Sequence, residues 1–172
     1  RPRGDRRPVM ATWWTGKARR VVAYLAGPLP LVERERAAPW LPGRSLALFD
    51  SMHPADQAHG LLVWADLRAG GTDDAELLTA ALLHDAGKGT ETGLLPRIAW
   101  AVAEPHPVLV RALVRIPRLG DGIERMRLHA VRSAQLAAAA GCSERVVRLI
   151  AGDAGPDDGA VVALRLADEA RG

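Results

Sequence analysis

His84 and Asp85 stand together at the end of the apolar run Leu77-Leu78-Thr79-Ala80-Ala81-Leu82-Leu83 and are followed at once by Ala86-Gly87-Lys88. An imidazole beside a carboxylate at a helix end can converge on one cation, whereas burial without a partner costs either group several kcal/mol. Gly87 allows a sharp turn, and Lys88 brings a compact positive charge to the same point. Two ligands do not complete a site, so other elements must bring further donors to this one.

The elements are helices punctuated by Gly and Pro, with no sustained alternating pattern of a strand. Residues 54 to 68 carry apolar residues at Leu61, Leu62, Trp64, Ala65 and Leu67 and stop at Gly70-Gly71. Asp73 with Glu76 forms a capping-box pair that starts the next helix, which ends at His84. Residues 94 to 119 read as two short helices around the corner Pro105-His106-Pro107. An alanine-rich helix from His129 to Ala140 closes at Gly141, Ser143 caps another that runs to Ile150, and Val161 to Ala170 supplies a last helix bearing Asp168. The fold class is therefore all-α, a single helical domain without repeats or a dividing linker.

The order His59, His84-Asp85, Asp168 in these elements resembles the HD-domain metal-dependent phosphohydrolases, whose signature is H…HD…D on an all-helical core. The likeness rests on Pro54-Ala55-Asp56-Gln57-Ala58-His59, on Ala80 to Lys88 and on Leu166-Ala167-Asp168-Glu169, and it spans roughly residues 46 to 171. It implies a compact HD core with an N-terminal helical extension. It also implies that His59, His84, Asp85 and Asp168 hold a divalent cation, with His129 and the position of Asp153 enlarging the site for a second one. Relatives carry His at the latter position, so Asp153 is a departure; a second ion there is expected to bind weakly, bridged to the first by Asp85.

The physical logic stands beside the name. His59 precedes the apolar Leu62 and Val63 by one turn, and Asp168 lies within a helix between Leu164 and Ala167, so four groups from three helices could enclose one ion. Imidazole with carboxylate suits Mn²⁺, Fe²⁺, Co²⁺, Ni²⁺ or Zn²⁺, and Mg²⁺ less well. Such an ion polarises a phosphoryl oxygen and acidifies a water, Asp85 is the shared catalytic ligand, and Lys88 neutralises phosphate charge. The expected activity is hydrolysis of a nucleotide or other small phosphoester. The rival is a non-catalytic HD-like module that binds metal or nucleotide in a structural or sensing role. Plainer readings stay open: His59 as a hydrogen-bonded core histidine, Lys88 as a complement to the helix dipole, His129 as a helix-start surface residue, and Asp153 as a turn former beside Gly152 and Gly155.

Composition narrows the classes. With 48% hydrophobic and 25% charged residues the chain reads as an ordinary globular domain. The net charge of +3 is uneven: residues 1 to 20 carry seven Arg or Lys against one Asp, which leaves residues 21 to 172 acidic. We therefore expect a basic tail over 1–20, partly disordered, before a helical domain over 21–172, and no nucleic-acid partner. Met10 is an alternative start that would bring the net charge to zero. The single Cys142 excludes an intrachain disulfide and favours a reducing, cytoplasmic setting. Arg19-Arg20 before Val21 to Ala26 faintly resembles a twin-arginine export signal, but Pro28 and Pro30 interrupt the apolar run, and no stretch suits a membrane span. Residues around Arg97, Arg111 and Arg115, with the basic N-terminus, could dock a membrane surface or a partner. Trp13, Trp14, Trp40, Trp64 and Trp100 read as core or surface anchors, and His53 and His106 as loop residues.

Overall fold

A computed structural model describes residues 31–153 and 158–171. The basic tail, Met10, the Arg19-Arg20 pair, Trp13 and Trp14 lie outside the described residues. Among the described residues every regular element is helical: α1 (Leu31–Ala37), α2 (Arg44–Asp50), α3 (Pro54–Ala69), α4 (Ala75–Leu83), α5 (Leu94–Ala103), α6 (Pro107–Leu113), α7 (Gly120–Arg127), α8 (His129–Ala139), α9 (Glu144–Ala151) and α10 (Gly159–Arg171), with single 3₁₀ turns at Ala38–Trp40 and Ala86–Lys88.

The centre of the molecule is α4. Leu77 through Leu83 are all buried, as a helix apolar on every side requires. Helices α2, α3, α9 and α10 surround it, and Phe49, Val63, Leu78, Leu82, Leu83 and Leu149 form the heart of the shared core. Close approach of α3 to α4 depends on Gly60, where a Cβ would lie 2.9 Å from the Leu82 carbonyl oxygen. Trp40 and Trp64 pack at a centroid distance of 6.2 Å beside this core, as anchors. A second, smaller core lies between α5, α6 and α7, built on Ala103, Val110 and Ile123 with Trp100, Leu113 and Leu119 packed against them.

Two local expectations need correction. The cap of α4 is Asp74, which accepts hydrogen bonds from the backbone N–H groups of Glu76 and Leu77, both at 3.1 Å; Asp73 is paired with Arg68 instead. The carboxylate of Asp74 also receives two hydrogen bonds from Arg145 on α9, at 2.8 and 2.5 Å, which together with the capping bonds hold its pKa down to about 2 against the opposing effect of burial. Leu62 points outward and is 41% exposed, whereas Val63 is fully buried, so the inward stripe of α3 runs through His59 and Val63. His53 and His106 lie outside the helices, as expected: His53 is the N-cap of α3, its Nδ1 accepting from the Ala55 N–H at 3.1 Å, and His106 marks the corner between α5 and α6.

Candidate metal centre

Helix α3 delivers His59, whose burial follows from the i, i+4 stripe it shares with Val63. Helix α4 ends at Leu83. His84 caps it, and the Nδ1–H of His84 donates to the Ala81 carbonyl at 2.8 Å, satisfying one of the carbonyls that a helix end leaves open. Asp85 then leads into the 3₁₀ turn Ala86–Lys88. That turn lies against α8 so closely that a Cβ on Gly87 would come within 2.3 Å of the His129 carbonyl oxygen and 2.6 Å of the Ser133 nitrogen. The Gly87 N–H donates to the buried Ser133 hydroxyl at 2.8 Å. Helix α10 brings Asp168, and one turn further on Arg171 grips Asp66 of α3, its Nε donating to a carboxylate oxygen at 2.5 Å.

These elements place His59, His84, Asp85 and Asp168 together. The His59 Nε2–H donates to Asp168 Oδ1 at 2.7 Å. The Nε2 of His84 stands 3.6 Å from Asp85 Oδ1 and 3.6 Å from Asp168 Oδ1, and the His59 Nε2 lies 4.0 Å from Asp85 Oδ2. Ligand atoms of His59, His84 and Asp168 all fall within 4.8 Å of one another, a grouping that could hold a metal ion. The buried Nε2 of His84 has no hydrogen-bond partner. His129 approaches from α8 with its Nε2 3.8 Å from Asp85 Oδ1, its ring oriented by an Nδ1–H bond to the Met126 carbonyl at 2.7 Å.

The other two residues behave differently. Lys88 is buried, and its ammonium is bonded to Asp85 Oδ2, the carboxylate oxygen that also faces His59. Asp153 is exposed beyond Gly152 at the end of α9, and no ion pair or hydrogen bond among the described residues links its side chain to the cluster.

Electrostatics follow from this arrangement. Burial opposes ionisation of Asp85, but Lys88, His84, His59 and His129 outweigh it and hold its carboxyl well below the ordinary range. For Asp168, burial is likewise outweighed by the rings of His59 and His84, and its pKa is lowered. Burial would lower the His84 pKa, yet the carboxylates of Asp85 and Asp168 prevail and raise it. His129 is shifted down by burial, which Asp85 offsets only in part. The cluster therefore draws positive charge to the His84 Nε2, where a proton and a metal cation compete. Two or three imidazoles with two carboxylates and no thiolate suit a first-row divalent ion, and the fixed Nδ1–H bonds of His84 and His129 present both Nε2 lone pairs inward.

One supporting feature has no local signal in the sequence. Asp56, one turn before His59, is buried and held bidentately by Arg97 of α5 at 2.7 and 2.8 Å. Arg97 also donates to the carbonyls of Thr92 and Gly89, at 3.1 and 3.3 Å, and so ties down the segment that follows Lys88. The expectation that Arg97 belongs to a docking face is thereby overturned, because its donors are turned inward. The i, i+3 spacing of Asp56 and His59 could have suggested that they share a face, but nothing local points across 41 residues to Arg97. An open groove between residues 91–96 and α7, lined by Leu95, Arg118 and Arg125 among others, includes none of the four clustered residues. Compared with known protein families, characterised proteins and solved structures, the chain matches none at a significant level.

Proposed function

We propose that this chain is a metal-dependent phosphohydrolase of the HD type, acting on a nucleotide or another small phosphoester. The observation that carries the reading is the buried His84 Nε2, which makes no hydrogen bond and faces one oxygen each of Asp85 and Asp168 at 3.6 Å. A buried ring nitrogen left without a hydrogen bond is costly, and a cation seated among these groups removes that cost. His59, His84, Asp85 and Asp168 would hold the ion, with His129 as a further donor beside Asp85. When bound, the ion supplies Lewis acidity to a phosphoryl oxygen and makes a water acidic enough to ionise near neutral pH.

The chain's own groups prepare that chemistry. Asp85, kept ionised by its cationic surroundings, offers carboxylate oxygens towards the imidazoles of His59, His84 and His129. Lys88 keeps that carboxylate charge in place within a buried site, which a lone carboxylate would resist. Ser133 and Arg97 hold the turn and the segment on either side of Lys88.

The position of Asp153 favours a second reading, a module that binds metal or nucleotide without catalysis, because Asp153 is exposed at the end of α9 and is not grouped with the ligand atoms of His59, His84 and Asp168. Metal analysis of protein purified without chelator, followed by assays with Mn²⁺ and Co²⁺ on mononucleotides, dinucleotides and guanosine polyphosphates, separates the two. Metal-dependent release of phosphate or nucleotide supports the phosphohydrolase. A metal-loaded protein inert across the panel supports the binding module, and a protein that takes up no metal sinks the phosphohydrolase and the metal-binding module alike, leaving only nucleotide binding.

A further inference from the structure

The surface built over the small core of α5 to α7 differs from the rest of the molecule. Leu95, Ile98, Val102, Val108, Leu109 and Ile116 are all exposed, with Leu95 at 74% and Val108 at 75%. Leu95, Ile98 and Val102 fall at i, i+3 and i+7, so they form one outward stripe along α5. On α6 and the turn after it, Val110, Leu113 and Val114 pack inward, which leaves Val108, Leu109 and Ile116 outside together with Arg111 and Arg115. Arg118 is exposed just beyond, in a groove that Glu91 and Asp121 also line, and no ion pair joins any of these three arginines to an acidic residue among the described residues; Glu104 is the one acidic residue from 98 to 120.

We propose that this face of α5 and α6 docks on an anionic lipid surface. Large apolar side chains interspersed with exposed guanidinium groups suit the boundary between headgroups and acyl chains, where the first lose contact with water and the second meet phosphate. Charge selects this occupant over the others. A second copy would set arginines against arginines, and the chain's own residues 1 to 20, with seven Arg or Lys against one Asp, carry the same sign as the face. That basic segment would instead add to attraction by an anionic surface, giving the two signals that stable peripheral attachment needs. Nucleic acid is also anionic, but it gains nothing from six apolar side chains. No helix of the described residues is long and apolar enough to cross a membrane.

The test is sedimentation of the full chain with phosphatidylcholine vesicles, with and without phosphatidylglycerol. Binding should require the anionic lipid and weaken with salt. Each arginine removed from the face should weaken it about fivefold, and Arg111→Glu/Arg115→Glu/Arg118→Glu by at least a hundredfold. Leu95→Asp/Val108→Asp should also abolish it, with the metal content of the cluster unchanged. Hydrogen exchange of the wild-type chain on vesicles, which needs no variant, should show new protection in 94–118. Equal binding to neutral vesicles, no binding at all, or binding that survives both variants and depends on Lys17, Arg19 and Arg20 alone would overturn the proposal. So would a dimer that dissociates in Leu95→Asp/Val108→Asp, or tighter binding to RNA than to the vesicles.

Discussion

At the scale of single residues, His84 and Lys88 bear most of the consequence. The His84 pKa is raised in the folded chain, burial being outweighed by Asp85 and Asp168, so without metal the protonated ring adds stability that is fully present below its ordinary value of 6.5 and is lost as pH rises through the folded value. A metal ion needs the neutral ring, so its affinity moves the opposite way. The rise in melting temperature on adding Mn²⁺ should therefore be larger at about pH 8.5 than at about pH 6, and His84→Ala should remove both the rise and the bound metal, read by thermal melts and atomic emission. A rise that is the same at both pH values would detach His84 from the metal. Lys88 is a different case, since its ammonium neutralises a carboxylate that is only 2% exposed. Lys88→Met removes the nearest counter-charge of that buried carboxylate and should cost about 3–5 kcal/mol in the metal-free protein, with part of the loss recovered when metal is added, as urea unfolding with and without Mn²⁺ would show.

At the scale of elements, the decisive contact is the 3₁₀ turn Ala86–Lys88 against α8. It sets where Asp85 and Lys88 stand relative to His129, and it depends on a backbone approach that only glycine permits, with a Cβ at Gly87 meeting backbone atoms at 2.3 and 2.6 Å. Those atoms belong to a helix and cannot yield as a flexible side chain would. Gly87→Ala should therefore destabilise the fold by about 3 kcal/mol or more and lower the melting temperature by roughly 6–12 °C. Ser133→Ala, which removes one hydrogen bond but keeps the spacing, should cost only about 1–2 kcal/mol. Calorimetry of the two variants would check the order; a neutral Gly87→Ala would mean that the turn can move away from α8 freely.

At the scale of the whole molecule, the two cores are unequal. The one around α4 joins elements from α2 to α10 through fully buried leucines, while that of α5 to α7 rests on a few mostly smaller residues beneath a largely exposed surface. Local opening free energy follows buried apolar contact, so amide exchange in 94–120 should be faster by at least tenfold than in α4 and α9. Arg97 should be the limit of that opening, because its bonds to Asp56, Thr92 and Gly89 belong to the side that carries the His and Asp cluster. Hydrogen exchange followed by mass spectrometry would test this, and uniform protection through both regions would show one cooperative unit instead.

The sequence by itself determined the all-helical class, most helix ends and the set of His and Asp residues that cluster. Apolar periodicity, Gly and Pro stops and a serine cap act over a few residues and are written locally: the corner at Pro105-His106-Pro107, the stop at Gly141 and the Ser143 cap can all be read without a neighbour. Where two candidates stood side by side, local reading lost its resolution, as between Asp73 and Asp74 or Leu62 and Val63, because one residue's shift turns a side chain by 100° and only packing decides which faces inward. Tertiary structure alone decided the rest. Lys88 turns back to Asp85, Arg97 reaches Asp56 across 41 residues, and Arg171 reaches Asp66 across 105, while Asp153 stays at the surface. Those outcomes depend on how helices cross and how closely Gly60 and Gly87 let them approach, and the cost of burying charge selects, among many possible partners, the one that the crossing brings within reach.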